Sequence, residues 1–172
     1  MKVSKPGEAI RQVAQVDRDG AAFFRRANRL VADPRVKFIF LRAAEEYGNA
    51  VHALERLRGS KAKAKVPAFF PFAEYERIDC YVCGYEASAD DIPEVCPSCG
   101  AARYAFEREV SQNRAWDLVA RTTKATLAFA RKAAGGVTDP KAKAALAKAM
   151  DVRKGLLAEA REAMGRAEGV AP

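Results

Sequence analysis

Histidine and tryptophan each occur once, at His52 and Trp116, and cysteine is absent outside one short stretch. A lone imidazole has no second histidine with which to share a metal. Met150 and Met164 stand isolated, so they form no copper or haem box. No apolar run approaches the roughly 20 residues of a membrane helix. The opening MKVSKPGEAIRQ lacks the apolar core of a secretory leader. These absences predict a soluble, cytoplasmic chain with no membrane partner. Aromatics are not interleaved with basic residues and no groove-reading motif occurs, so nucleic acid is not the expected partner.

Acidic residues are also the scarcer charge. Thirty Lys and Arg against 22 Asp and Glu give a formal net charge of +8. The densest basic run is Lys61-Ala62-Lys63-Ala64-Lys65; elsewhere the excess is spread along helix-like segments. Such a surface attracts acidic partners. A length of 172 residues accommodates one ordinary domain and a small insert.

All four cysteines lie in Cys80–Phe106, as the pairs Cys80/Cys83 and Cys96/Cys99. Two Cys-x-x-Cys knuckles at this separation place four thiolates around one tetrahedral ion. Gly84 and Gly100 follow each pair, where the chain needs a left-handed backbone, and Pro97 stiffens the second knuckle. Two disulfides or free thiols are the competing reading; without a leader, such pairs read as a metal site. Four sulfurs suit either zinc or a single iron. With a divalent ion bound, the net charge falls to about +6.

Around this stretch the spacing is helical. Ile10, Val13, Gly20, Phe24, Ala27 and Val31 form one stripe over Glu8–Val31, and Asp17 falls within it. Asp33-Pro34 caps a second helix to about Arg58, with the stripe Val36, Phe40, Ala43, Tyr47, Ala50, Leu54 and Leu57, stopped by Gly59. Pro67 and Pro71 keep the next segment irregular, and Phe69, Phe70 and Phe72 should pack on the outside of the helices or on the cysteine module. Helix resumes from Glu107 to about Ala134, ends at Gly135-Gly136, and restarts at Asp139-Pro140 to about Arg166.

The two helical pairs repeat at an offset of 106: Phe23 matches Phe129, and Asp33-Pro34 matches Asp139-Pro140. The repeat predicts two hairpins packed as a four-helix bundle, with the metal module between the second and third helices. The expected divisions are a first hairpin at 1–59, a linker at 60–76, a four-cysteine metal module at 77–106 and a second hairpin at 107–172. A long linker between hairpins also allows exchange between chains, giving a swapped homodimer.

The string CxxCGY, then Pro93, CPxCG and Phe106, resembles the rubredoxin-like module of rubrerythrins. Asp17-x-x-Gly20-x-x-Phe23-Phe24, Asp33-Pro34 and Phe40-x-x-Ala43-Ala44 resemble the ferritin-like half of the same family. The resemblance implies a mostly α, ferritin-like bundle and an iron held by four thiolates that passes single electrons. Two departures stand out. The module lies mid-chain, and Ala87-Ser88-Ala89-Asp90-Asp91 replaces a loop that commonly contains glycine.

The family's bundle holds two irons on inward carboxylates and Glu-x-x-His pairs. Carried over one at a time, those positions fall on Asp17, on Tyr47 and Ala50, on Thr123, and on Arg153 and Leu156. One carboxylate remains, so no di-iron centre is expected. Glu46-x-x-Asn49 lies one residue out of register, and His52 points away from the stripe, as an ordinary surface or boundary histidine. Asp17 and Arg153, both inward, should instead form a buried ion pair, with the Tyr47 and Thr123 hydroxyls completing its hydrogen bonds. Trp116, matched to Ile10, reads as core.

These residues support a redox protein with one iron held by four cysteine thiolates, at Cys80, Cys83, Cys96 and Cys99, serving a reductase or oxidase-like partner. A non-catalytic protein-binding module with a structural zinc ribbon is the alternative. An active di-iron peroxidase or ferroxidase, an oxidoreductase of rubrerythrin type, requires the ligands that are missing.

Overall fold

The computed structural model of the protein describes residues 6–55 and 63–168. Among the described residues there are four α-helices: α1 (Pro6–Arg29), α2 (Pro34–Glu55), α3 (Gln112–Ala134) and α4 (Pro140–Glu168). Between α2 and α3 lies an antiparallel pair of short strands, β1 (Arg77–Asp79) and β2 (Glu86–Ser88). Single 3-10 turns at Phe72–Tyr75 and Arg103–Phe106 flank that pair.

Helix starts follow the two Asp-Pro steps. The Asp33 carboxylate accepts the Arg35 N–H at 2.8 Å, and the Asp139 carboxylate accepts the Ala142 N–H at 2.7 Å. Each satisfies an N-terminal donor that the helix itself leaves open. The first helix ends at Arg29 rather than Val31, and Leu30 and Val31 turn into the core. The expected end of the second helix, with Leu57, Arg58 and Gly59, lies outside the described residues.

The third helix begins at Gln112, five residues later than Glu107. Residues 107–110 are held extended because they pair with the α1–α2 turn. The Arg108 N–H donates to the Leu30 carbonyl at 2.7 Å, and the Ala32 N–H donates to the Arg108 carbonyl at 3.0 Å. Ser111 then caps α3 through the Arg114 N–H.

Helix α1 packs on α2 and α3 on α4, and the two hairpins meet chiefly along α2 and α4. Phe23, Phe24, Phe40 and Tyr47 are at most 2% exposed in the main core. Trp116 sits half-buried at its edge rather than inside it.

Of the phenylalanines before the module, Phe69 and Phe72 lie half-buried against the helices as expected, but Phe70 does not rest on the outside. Phe70 is 6% exposed and reaches into the core against Phe23, Phe24 and Tyr47. Gly20 makes the room. A β-carbon there would lie 2.7 Å from Tyr47 Cδ1 and 2.8 Å from Phe70 Cζ. Phe69 packs on Phe129 of α3, so this segment touches both hairpins.

Candidate metal centre

Each cysteine pair sits on the same backbone turn. In the first, the Cys80 N–H donates to the Tyr85 carbonyl at 2.8 Å, and the Gly84 N–H to the Cys80 carbonyl at 2.8 Å. In the second, the Cys96 N–H donates to the Ala101 carbonyl at 2.7 Å, and the Gly100 N–H to the Cys96 carbonyl at 2.9 Å. Gly84 and Gly100 both have φ of +76°. That left-handed backbone disfavours a β-carbon and is the reason glycine follows each pair.

The turns converge. The four sulfurs all lie within 4.8 Å of one another. Cys80 and Cys99 Sγ are 3.8 Å apart, and Cys83 and Cys96 Sγ are 3.6 Å apart. Metal–sulfur bonds of about 2.3 Å to a tetrahedron of sulfurs require sulfur separations of about 3.8 Å. The site therefore fits one iron or one zinc ion. Cys80 and Cys96 are buried, while Cys83 and Cys99 face solvent.

Four thiolates this close repel one another unless a cation is shared. The Tyr85 N–H pulls the Cys83 thiol down to about 7. The Ala101 N–H also lowers Cys99, but desolvation and the neighbouring sulfurs outweigh it and push that thiol up to about 12. Filling the site with a metal must then displace protons.

The module is anchored to the helices. Ile78, Ala87, Cys80, Cys96 and Phe106 form an apolar cluster with Leu30, which follows α1. Phe106 is 1% exposed, and its ring centroid lies 6.5 Å from that of Tyr85. Arg108 donates to the carbonyls of Glu74 at 2.7 Å and Arg77 at 2.5 Å. Lys37 reaches Glu107 at 3.0 Å. Asp90, in the loop that departs from the expected pattern, binds Arg26 at 2.6 Å and Arg29 at 3.4 Å. No motif marked Asp90 or Arg108 in the sequence; their roles depend on where the module docks.

The six positions carried over for a di-iron site are all buried: Asp17, Tyr47, Ala50, Thr123, Arg153 and Leu156. They bring one carboxylate, one guanidinium, two hydroxyls and two apolar side chains. Arg153 Nη2 donates to Asp17 Oδ1 at 2.5 Å, with side chains 2% and 0% exposed. The small gap bordered by Asp17, Tyr47, Ala50, Arg153 and Leu156 leaves no room for a water molecule.

The ion pair is present, but its surroundings differ from the expectation. The Tyr47 hydroxyl does not reach it. That hydroxyl bonds Thr126 Oγ1 at 2.9 Å and donates to Thr123 Oγ1 at 3.4 Å. The Tyr47 ring instead lies beneath the guanidinium, 5.9 Å from centroid to Cζ. Arg153 Nη1 donates to the Ala149 carbonyl at 3.2 Å, and Asp17 Oδ2 and Arg153 Nε find no partner among the described residues. Burial pushes the Asp17 carboxyl from 3.8 up to about 7, against the opposing pull of Arg153. Thr126 escaped notice in the sequence, although it stands three residues after Thr123 on the same helix face.

His52 is exposed, as is Asn49, and Glu46 is held by Arg42. None joins a cluster of metal-binding side chains among the described residues. No helix of the described residues is long and apolar enough to cross a membrane.

A family model for the rubrerythrin, rubredoxin-like domain matches residues 79–107. That span holds all four cysteines and both left-handed glycines. No curated protein and no solved structure matches the chain.

Proposed function

We propose that this chain is a rubrerythrin-like electron carrier: one iron on Cys80, Cys83, Cys96 and Cys99, attached to a ferritin-like bundle that has lost its di-iron centre. In this reading the hairpins at 1–59 and 107–172 form the bundle, and residues 60–76 lead into the module at 77–106. The observation that carries it is the tetrahedral sulfur cluster with two sulfurs open to solvent. Bound iron supplies a one-electron couple. The chain's own part is to hold the sulfurs at fixed spacing, to shield Cys80 and Cys96 against Leu30 and Phe106, and to leave the Cys83–Cys99 edge accessible. Fixed ligands reduce the rearrangement that accompanies a change of charge. N–H groups of Tyr85 and Ala101 aimed at the exposed sulfurs help to carry their negative charge.

The bundle part rests on the internal repeat and on the six buried positions. A guanidinium beside the one remaining carboxylate is a poor neighbour for a second cation, so peroxide turnover is not assigned to the helices. The partner in this reading is a redox protein that meets the exposed sulfur edge.

A second reading is a structural zinc ribbon in a protein-binding module. The firm anchoring of the module through Arg108, Asp90 and the Leu30 cluster favours it.

Elemental analysis with visible spectroscopy separates the two. Protein purified without added metal is expected to carry one iron per chain, with a red thiolate charge-transfer colour that a reductant bleaches and air restores. One zinc and no colour would leave the ribbon reading. Three metals per chain would overturn the loss of the di-iron centre.

A further inference from the structure

A shallow groove runs along the outer face of α1 and α2, beside the loop after β2. Ala22, Leu41 and Phe72 line it together with Arg25, Arg26 and Arg29. Ala22, Arg25 and Arg29 lie at three- and four-residue spacing on one face of α1 and are exposed. Leu41 is 45% exposed, and Phe38, one turn earlier on α2, is 63% exposed. Leu41 lines the groove and Phe38 stands beside it on the same helix, so an exposed apolar strip borders the arginines.

The charge of the groove says what fits it. It already holds one carboxylate: Asp90 lies 2.6 Å from Arg26 and 3.4 Å from Arg29, yet remains 60% exposed. Arg25 makes no ion pair among the described residues. Its guanidinium lies over Gly48, 3.6 Å from where a β-carbon would stand. Three arginines against one aspartate leave the groove basic. A second copy of a chain with net charge +8 is a poor occupant. A duplex nucleic acid would meet the arginines with phosphates and leave Leu41 and Phe38 without apolar cover, and a lone exposed phenylalanine offers a single strand no succession of stacking rings. A segment with acidic residues on one side and apolar residues on the other matches both features.

We propose that this groove docks an acidic amphipathic segment of a partner protein. Its carboxylates take Arg25, Arg26 and Arg29 in competition with Asp90, and its apolar residues cover Leu41 and Phe38. Asp90 is thus an internal occupant that lowers affinity until the partner displaces it. Docking here does not depend on which metal fills the cysteine site.

The test is a nuclear magnetic resonance titration of the full-length, isotope-labelled chain loaded with zinc. The probe is a synthetic helical peptide of about 16 residues, built from leucine and glutamate in amphipathic order. Saturable shifts around Arg25, Arg29 and Leu41 are expected. Arg25→Glu with Arg29→Glu should weaken binding about tenfold or more, and Leu41→Ser should weaken it severalfold. Asp90→Asn should tighten it about threefold, which no general loss of structure would produce. The idea fails if the peptide gives no saturable shifts, or if they centre elsewhere. It fails equally if a glutamate–serine peptide without leucine binds as well, if a single-stranded oligonucleotide binds this face more tightly, or if Asp90→Asn leaves affinity unchanged or weaker.

Discussion

Replacing Arg153 with methionine removes the cation that touches the buried Asp17 carboxylate, and replacing Asp17 with leucine removes the anion that touches Arg153. Both side chains are at most 2% exposed, so neither orphan reaches water in the native fold. Breaking one side of such a pair typically costs about 3–5 kcal/mol. In a chain of this size, about 3 kcal/mol corresponds to roughly 6–12 °C in Tm. The double variant should behave differently. Among the described residues the native pair already leaves Asp17 Oδ2 and Arg153 Nε without partners, and each unmet group costs about 1–3 kcal/mol. Two apolar side chains of similar size avoid both those penalties and the desolvation of two charges. Asp17→Leu with Arg153→Met should therefore come within about 1 kcal/mol of the native chain, or exceed it.

The two single variants should also part company with pH. An orphaned carboxyl can take up a proton, whereas an orphaned guanidinium cannot lose one. Without Arg153 to oppose burial, the folded-state value of Asp17 rises above its present value of about 7. A carboxyl raised on folding binds more protons in the native than in the unfolded state. Its effect is that stability falls as pH rises from the unfolded value of 3.8 to the folded one, by at most about 1.4 kcal/mol per pH unit. The penalty of Arg153→Met should therefore shrink as the pH is lowered from 8 to about 6, while that of Asp17→Leu stays level relative to the double variant. Urea unfolding followed by circular dichroism across that range reads all four chains. Additive single effects, or an Arg153→Met penalty that does not change with pH, would refute the argument.

Other outcomes follow from the packing and the metal site. Gly20→Ala forces a methyl against the Tyr47 and Phe70 rings and should cost about 1–3 kcal/mol in urea unfolding. Phe70→Ala should cost about 3–5 kcal/mol, and the two together less than their sum, because the methyl moves into the vacated space. Cys96→Ser should abolish stoichiometric metal retention through gel filtration, yet keep most of the far-ultraviolet helical signal, since the main helical core contains no sulfur ligand. Metal release, followed with a chelating dye, should increase on acidification because thiolate ligands must take up protons to leave.

The metal site was legible because its geometry is local. Two short turns, each closed by a left-handed glycine, position two sulfurs apiece, so sequence spacing alone is enough to imply a tetrahedron. The Asp-Pro helix starts were legible for the same reason, since a cap acts within three residues. Where the third helix begins was not. Residues 107–110 have no strong propensity of their own against helix, and what keeps them extended is the pairing of Arg108 with Leu30 and Ala32, far away in the chain. Asp90 likewise acquires meaning only when the module is set down beside Arg26 and Arg29.

Asp17 and Arg153 mark the boundary between these cases. Helical periodicity places Asp17 in the interior, the repeat does the same for Arg153 by matching it to Tyr47, and the packing implied by the family resemblance sets the two at one height, so their meeting follows from these together. Their remaining hydrogen bonds do not. Those depend on where the Tyr47 ring lies, and its neighbours decide that. Gly20 offers no β-carbon, Phe70 enters from the segment before the module and fills the space, and the ring is held beneath Arg153 with its hydroxyl directed to Thr126. Phe70 reaches that position from a stretch whose prolines rule out regular helix, where no periodicity exists to say which side chain points inward. Among the described residues the pair keeps two unmet polar atoms, and Phe70, rather than a hydrogen-bonding group, completes the core around the Tyr47 ring that lies beneath Arg153. Trimming Phe70 should then let Tyr47 shift and weaken the coupling between Asp17 and Arg153, and a double-variant cycle repeated in the Phe70→Ala background should return a smaller interaction energy than in the native chain.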